Sequence, residues 1–372
     1  MDISSEMIHA ILPVYLVRVL GASMLSVGLI EGIAEATASI SKVFSGALSD
    51  RARRRKLLAG IGYGLSAVTK PLFALAASLG PILAARFIDR LGKGIRGAPR
   101  DALVADITPD DIRGTSFGLR QSLDTVGAFL GPIVAIGLMA LTANAFRTVF
   151  WIAAVPAALA VSVLIFGVRE PERHELPAAS AHVPHLGDTH GMGRPFWTVL
   201  AVATAITLAR CSEAFLVLRA QQVGLAITLV PVVMIAMNTA YALSAYPAGA
   251  LADRFGRRGV LSTGVVFLII ADLLLGLGAT IPLTLLGALF WGLHMGFSQG
   301  VFSALVADTA PAHLRGSAFG LFNFAVGLAM LAASVIAGAL WQLYGPSATF
   351  LAGAAFAMVS LLGMAATGRD AP

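Results

Sequence analysis

Apolar residues dominate twelve stretches of the chain, separated by shorter polar or glycine-containing segments. Most of these stretches exceed the roughly 20 residues that a helix needs to cross the hydrocarbon core of a bilayer. The strands of a membrane barrel would be about half as long and would alternate in polarity. The pattern therefore predicts an all-α membrane protein with twelve transmembrane helices. They cover residues 7–20, 25–48, 57–78, 81–105, 115–141, 146–168, 196–218, 224–250, 259–280, 282–307, 316–341 and 346–367.

The fourth stretch differs from the others because charged side chains follow one face of the predicted helix. At about 100° per residue, seven of them fall within an arc of roughly 140°. A charge at the bilayer centre costs about 2.5–3.5 kcal/mol on insertion scales, so seven facing lipid would cost on the order of 20 kcal/mol. We therefore expect this face to look at protein or at a water-filled cavity walled by the other helices. The seven residues are Arg86, Asp89, Arg90, Lys93, Arg96, Arg100 and Asp101.

The composition agrees with a polytopic membrane protein. The chain of 372 residues is 57% hydrophobic and 12% charged, with a mean hydropathy of +0.83, whereas soluble domains carry about 25% charged residues. The net charge of +6 does not indicate nucleic-acid binding, because the basic residues outside the fourth stretch concentrate in alternate loops. This positive-inside distribution places both termini in the cytoplasm. We expect a multi-pass protein of the bacterial inner membrane.

A sequence repeat divides the chain into two halves. Residues 102–119 (ALVADITPDDIRGTSFGL) match residues 304–321 (ALVADTAPAHLRGSAFGL) at eleven of eighteen positions. Upstream of each copy lies a second pair of similar segments, GALSDRARRRKLL at 46–58 and GALADRFGRRGVL at 249–261. The repeat predicts two six-helix bundles of related structure.

A polar stretch between the two halves predicts the domain boundaries. We expect an N-terminal bundle in residues 1–168, a cytoplasmic linker in residues 169–195 and a C-terminal bundle in residues 196–372. The linker is rich in Pro, Gly and His, which is typical of a flexible connection. Its four histidines are not spaced like a compact set of metal ligands, so we expect neither a metal site nor a cofactor.

The loop after the second helix of each half resembles the signature motif of the major facilitator superfamily, Gly-x-Leu-(Ala/Ser)-Asp-Arg-x-Gly-Arg-Arg. Residues 249–258 fit this motif at every position, and residues 46–55 fit it with Arg53 in place of the second glycine. Residues 86–92 resemble the family's fourth-helix arginine motif, and residues 127–132 (GAFLGP) resemble its exporter-associated fifth-helix motif. The resemblance implies two six-helix bundles that alternate access to a central site, and it favours export of a small organic compound in exchange for protons.

The first predicted helix is short. Residues 3–6 resemble residues 210–213 of the second half, which follow an apolar run at 196–208. Only two residues precede the first copy, so by this comparison the first helix lacks about two or three turns at its cytoplasmic end. We expect a misplaced start codon or a truncated chain, with a naturally short first helix as the alternative.

The repeat also supplies an internal control for the charged face. At an offset of 202 residues, none of the seven charged positions is charged in the second half, so the fold does not require these charges. We expect the first half to form the polar side of a central cavity and the second half the apolar and aromatic side. The predicted substrate-binding residues are Arg86, Arg90, Lys93, Arg96, Trp291 and His294. The alternative for Arg86, Asp89 and Arg90 is a structural ion-pair network with carboxylates on neighbouring helices.

The charge of this face favours an anionic or zwitterionic small-molecule substrate, because five cations outnumber two carboxylates. Carboxylates on the cavity would couple transport to protons, since a low-dielectric cavity favours the protonated form and a nearby arginine favours the ionised form. The predicted coupling residues are Glu6, Glu35, Asp89 and Asp124. Permanent pairing with Arg86 or Arg90 is the alternative for each of them.

The charged loops predict a conformational latch on the cytoplasmic face. Their arginines can pair with acidic groups and helix ends in one conformation and release them in another, or they only fix the topology. The predicted latch residues are Asp50, Arg51, Arg54, Asp253, Arg254, Arg257, Arg113 and Arg315. We assign structural roles to Lys70, to Asp272 and to a pair between Arg210 and Glu213.

These patterns together predict a monomeric secondary active transporter that exports a small organic solute in exchange for protons by alternating access. Two alternatives stay open: uptake of an anionic metabolite by proton symport, and a non-transporting membrane sensor or scaffold on the same fold. The sequence shows no nucleotide-binding P-loop, no Ser-His-Asp signature and no metal-ligand cluster. We therefore do not expect an enzyme.

Overall fold

The computed structural model describes residues 1–52, 55–108, 113–168, 191–311 and 314–367. The regular elements in these ranges are all helical and follow the order of the apolar stretches, which confirms the predicted fold class. The helices are α1 (Asp2–His9), α2 (Leu12–Arg18), α3 (Met24–Ala52), α4 (Arg55–Leu75), α5 (Leu79–Ile107), α6 (Arg113–Leu141), α7 (Phe146–Ser162, continued by a π-helical turn at Val163–Gly167), α8 (Arg194–Ala209), α9 (Ala214–Gln222), α10 (Val232–Phe255, preceded by a 3-10 turn at Ile227–Leu229), α11 (Arg257–Leu277), α12 (Ile281–Thr309), α13 (Arg315–Tyr344) and α14 (Pro346–Thr367).

The first and seventh crossings of the bundle are each broken into two helices. Pro13 stands at the start of α2, where it lacks the N–H that would continue α1. Between α8 and α9 the chain leaves the helix for four residues, and the Ser212 hydroxyl accepts a 3.3 Å hydrogen bond from the Ala214 N–H. Arg210 and Glu213 lie in this break rather than on one helix. The expected pairing between them is not among the ion pairs of the described residues.

Within the described residues, ten segments are long and apolar enough to cross a bilayer. Two crossings fall outside this set for different reasons: the first is short and broken, and α5 carries too many charges. The predicted linker lies outside the described residues at 169–190, and α8 begins at Arg194, inside the predicted linker.

Two sets of helices meet at a central seam. Helices α1–α7 pack on one another, as do α8–α14, and the sets join where α3 meets α13, α6 meets α10 and α2 meets α9. Small residues bring α3 and α13 into backbone contact. A β-carbon on Gly28 would strike the carbonyl of Ser334, and a β-carbon on Gly338 would strike that of Met24.

Crossings in alternating directions bring both ends of the chain to one face of the bundle, here called the terminal face. At the opposite face, hydrogen bonds join the two sets. The Gln342 side chain accepts from the Leu25 N–H at 3.3 Å, and the Thr228 hydroxyl donates to Asn144 Oδ1 at 2.7 Å. The seam is therefore closed at the face away from the termini.

The closed seam predicts that a bifunctional maleimide cross-links Arg18→Cys to Gln221→Cys, whose native side chains meet where α2 contacts α9. In a Cys211→Ser background, Gly28→Val should lower the cross-link yield severalfold, because the larger side chain pushes α13 away from α3. Denaturing electrophoresis measures the yield. Gly64→Val is the matched control, since a β-carbon on Gly64 meets nothing within 4 Å. An unchanged yield with Gly28→Val would contradict this account of the seam.

Candidate functional site

Three charged residues in the first half of α5 lie inside the first set of helices, each in an ion pair with a neighbouring helix. Two of the three pairs are fully buried. The pairs are Arg86 Nη2 with Glu31 Oε2 at 2.6 Å, Lys70 Nζ with Asp89 Oδ1 at 2.9 Å, and Arg90 Nη2 with Glu35 Oε1 at 3.2 Å. The charged face of α5 therefore looks at α3 and α4 along this length.

These pairs compensate charges that could not stand alone in the membrane. Burying an ion costs several kcal/mol, and a counter-charge in good geometry offsets that cost. Arg86 and Arg90, expected to bind substrate, and Asp89, expected to couple protons, are engaged by protein partners and line no part of the cavity described below. At these three positions the structure has the alternative arrangement, the ion-pair network.

A cavity of about 260 Å³ lies at the seam, on the terminal-face side of the ion pairs. Helices α1, α3, α5 and α6 form its walls on one side, and α10 of the second set forms the other. The lining residues are Asp2, Glu6, Lys42, Lys93, Arg96, Gly97, Arg100, Asp124, Thr125, Ala128, Asn238 and Tyr241. The second half of the charged face of α5 thus meets a polar cavity, as expected of that face.

Protein groups already hold the two arginines of the cavity. Arg96 Nη2 lies 3.5 Å from Asp2 Oδ1, and its guanidinium carbon stands 4.9 Å from the centre of the Tyr63 ring, within range of a cation–π interaction. Arg100 Nη2 lies 3.4 Å from Asp124 Oδ2. Both guanidinium groups are fixed in position and partly neutralised.

The two lysines of the cavity are not held in this way. Within the described part of the chain, the ammonium group of neither Lys42 nor Lys93 makes a hydrogen bond or an ion pair. Lys42 on α3 is exposed and Lys93 on α5 is half-buried. An ammonium group carries three donors and no acceptor. An anionic group that enters the cavity therefore finds unused donors on two different helices.

The second set contributes the side chains of Asn238 and Tyr241 to the cavity. The indole and imidazole groups expected there do not line it. Asn238 Nδ2 donates to the Ala128 carbonyl at 3.3 Å, which ties α10 to α6, and the Tyr241 hydroxyl donates to Gln299 Oε1 at 3.2 Å. Both residues keep a polar group at the cavity wall.

Trp291 and His294, expected to bind substrate, are buried in α12 and line no part of this cavity. His294 Nδ1 shares a 2.8 Å hydrogen bond with the Gly264 carbonyl of α11. Gly292 and Gly296 allow α12 to pack closely on α10. The helix is therefore enclosed by its neighbours, and its aromatic residues fill the core of the second set.

Sequence analysis did not identify Lys42, Asn238 or Tyr241. Lys42 follows Glu35 by seven residues, which places both on one face of α3 about two turns apart. Asn238 is the counterpart of Glu35 at an offset of 203 residues, so the repeat carried a signal for it. For Tyr241 the only signal is its position one turn after Asn238.

Two of the four predicted coupling residues, Glu6 and Asp124, line the cavity. His9 Nδ1 lies 3.5 Å from Glu6 Oε2, and Asp124 contacts two arginines. Glu35 is paired but keeps 31% of its side chain exposed, whereas Asp89 is sealed in its pair. The cavity therefore brings the carboxylates of Glu6 and Asp124, and a third from Asp2, close to two unengaged lysines.

The predicted latch is only partly within the described residues. Asp253 and Arg254 are exposed at the terminal face, and Arg257 pairs with Asp308. This pair joins α11 to α12 inside one set, so it does not bridge the seam. The side chains of five latch residues lie outside the described residues: Asp50, Arg51, Arg54, Arg113 and Arg315.

Known proteins resemble this chain in both sequence and fold. A family profile described as Major Facilitator Superfamily matches residues 1–218 and residues 197–372. An uncharacterised MFS-type transporter of Methanocaldococcus jannaschii is 34% identical over 369 residues, which cover 96% of this chain and 90% of that protein. The tetracenomycin C resistance and export protein of Streptomyces glaucescens is 30% identical over 183 residues, covering 48% of this chain and 34% of that protein. The crystal structure of the nucleoside transporter NupG superposes with a TM-score of 0.79 at 15% identity, covering 100% and 96% of the two chains.

The buried pair of Arg86 and Glu31 predicts a large loss of stability when one partner is removed. Arg86→Gln should lower the free energy of unfolding by about 3–5 kcal/mol, because the buried Glu31 carboxylate would lose its arginine and keep only His9 Nε2 at 3.9 Å. Combining it with Glu31→Gln should recover most of this loss. Thermal unfolding of the purified protein in detergent measures both effects.

Arg257→Gln provides the control, because the pair with Asp308 is more exposed and should be worth about 0–1 kcal/mol. If Arg86→Gln cost no more than Arg257→Gln, the compensation of α5 by buried pairs would be refuted.

Proposed function

The chain belongs to the Major Facilitator Superfamily, and from that premise we propose that this transporter moves a small organic anion or zwitterion across the membrane by alternating access. It is a multi-pass membrane protein, and its fold and its full-length relative both identify it as a transporter. The substrate class, the coupling to protons, the direction of transport and action as a monomer form the proposal.

The observation that carries the proposal is the pair of unengaged lysines in the seam cavity. Lys42 and Lys93 have unused donors, whereas Arg96 and Arg100 are already bound to acids. A carboxylate or phosphate group that enters the cavity gains charge-assisted hydrogen bonds from the lysines. A lipophilic cation gains nothing from them and is repelled.

The seam supports the alternating-access part of the proposal. The sets touch at the face away from the termini and leave the cavity at the terminal-face side, which is one of the two states that rocking bundles require. Opening the opposite face requires the loss of the close packing of α3 on α13 and of the hydrogen bonds of Gln342 and Asn144. Most helices within each set would move as a rigid body.

We assign the terminal face to the cytoplasm and the bilayer to the inner membrane. Arg254, Arg257 and Arg258 lie at this face where α10 ends and α11 begins, as the positive-inside rule requires of a cytoplasmic connection. The described conformation is then inward-facing, with its cavity towards the cytoplasm.

Proton coupling follows from the carboxylates that share the cavity with the lysines. A zwitterion that places its cationic group on Glu6 or Asp124 competes with a proton for that site, which is the requirement for antiport. The likeness to an export protein supports efflux in this form. A simple anion instead binds more tightly when these carboxylates are protonated, because repulsion is removed, and this favours the second candidate function, uptake by symport.

The unengaged lysines predict the order of binding in a size-matched panel of benzoate, phenylglycine and benzylammonium. Ligand-induced shifts in the thermal unfolding of the purified protein should be larger for the anion and the zwitterion than for the cation. Lys93→Gln should weaken the binding of the anion or the zwitterion about tenfold or more, because a hydrogen bond to a charged group is worth about 1.5–3 kcal/mol.

Lys56→Gln is the matched control, because Lys56 lies outside the cavity and donates to the Ile165 carbonyl at 2.7 Å. A preference for benzylammonium, or equal losses in the two variants, would contradict the proposed substrate class.

Flux in liposomes tests the coupling. An imposed pH gradient should drive the ligand identified in that panel, towards the acidic side for antiport and away from it for symport. Glu6→Gln and Asp124→Asn should retain exchange without a gradient and lose accumulation driven by the gradient, because the proton site is removed while the lysines stay. Full coupling in both variants would contradict the assignment of these two carboxylates as proton-coupling residues.

A further inference from the structure

A second acidic site lies in the other half of the protein, far from the seam cavity. Asp272 of α11 is 1% exposed, and its Oδ2 has no hydrogen-bond partner among the described residues. Of the described acidic side chains, Glu31 and Asp89 are equally buried, but each is paired with a cation. Asp272 is the described buried acid without a counter-charge.

The surroundings of Asp272 are almost entirely apolar. Its carboxyl group adjoins a small cavity of about 20 Å³ between the end of α8 and helices α13 and α14. The cavity wall includes Leu208, Ile336 and Leu340. A space of this size holds about one water molecule. An ionised carboxylate in such a place would lose its hydration without gaining a counter-charge, which is strongly unfavourable.

The broken crossing supplies an acceptor that faces the carboxyl group. A β-carbon on Gly353 of α14 would stand 2.7 Å from Asp272 Oδ2 and 2.9 Å from the Ala209 carbonyl oxygen, so both oxygens lie beside the same point of α14. Ala209 is the last residue of α8, where the carbonyls no longer find helical donors and the helix dipole is negative. An apolar site beside a carbonyl oxygen and a negative helix end favours the protonated form of the carboxyl group over the ionised form.

The neighbouring elements offer few titratable groups. The break itself carries Arg210 and Glu213, of opposite charge, and the Cys211 thiol lines the cavity. On α12 the nearest group that titrates is His294, which bonds to Gly264, about two turns along α11 from Asp272. The described part of α14 has no charged side chain, and α13 contributes none to the cavity.

We propose that Asp272 is a proton-binding site whose carboxyl group is neutral in this conformation and shares its proton with the carbonyl at the end of α8. The proton leaves when the break at 210–213 rearranges and admits water or Arg210. Helix α9 continues from this break to the contact with α2 that closes the seam. A movement of α9 at the seam would therefore displace the break that adjoins Asp272. The use of this site in coupling rests on the proposed function, but the presence of the proton does not.

Infrared spectroscopy of the purified protein tests the proton without any knowledge of the substrate. At neutral pH the wild type should show a C=O band of a protonated carboxyl group that is missing in Asp272→Asn and retained in Glu213→Gln. A band that survives Asp272→Asn, or no such band in the wild type, would overturn the assignment. The band should persist when sodium chloride replaces choline chloride, and its loss would overturn the assignment to a proton alone, in favour of a site that a metal cation also occupies.

A second variant keeps the test decisive if Asp272→Asn does not fold. Gly353→Ala places a methyl group against both oxygens and should shift or abolish the band, whereas Gly363→Ala on the same helix, where a β-carbon meets nothing within 4 Å, should leave it unchanged. Equal spectra for the two alanine variants would contradict the proposed geometry.

The coupling role has its own readout. The cross-link between Arg18→Cys and Gln221→Cys should form to an extent that varies with pH, and Asp272→Asn should flatten this dependence. An unchanged pH dependence would reject the coupling role while leaving the proton site itself to be judged by the infrared result.

Discussion

Charge compensation along α5 is the constraint on which this structure depends. A helix with this many charges is not stable in lipid, and the described residues place a counter-charge beside each charge in its first half. The partners come from α3 and α4, so the same pairs that satisfy α5 also bind three helices into one unit.

The division of the charged face into a paired half and an open half creates the site. Nearer the terminal face, Arg96, paired with Asp2, and the unengaged Lys93 reach the seam cavity, and the second set faces them with neutral groups such as Asn238. The opposite face is held by close backbone contact and a few hydrogen bonds. A unit held together by ion pairs, a seam between two sets of helices and unengaged cations in the cavity between them are the parts that alternating access needs.

The sequence predicted the membrane crossings, because their length and hydropathy follow from the thickness and polarity of the bilayer. The repeated motifs predicted two related sets of helices. It also predicted that the charged face of α5 points inward. It could not decide which charges are paired, because Lys70 and Glu31 are distant in sequence from their partners and meet them only through packing. The residue type of Trp291 suggests a place at the cavity, but Gly292 and Gly296 let α12 pack against α10, and Trp291 is buried in the second set. The break at 210–213 carries no proline and gave no sequence signal.

The most direct test of this account is the water accessibility of α5 from the terminal face. In a Cys211→Ser background, Lys93→Cys should react quickly with a hydrophilic thiol reagent. Arg86→Cys, combined with Glu31→Gln so that no buried carboxylate is left unpaired, should be protected. Comparable labelling rates at the two positions, or faster labelling at position 86, would contradict the division of α5 into a sealed half and an open half.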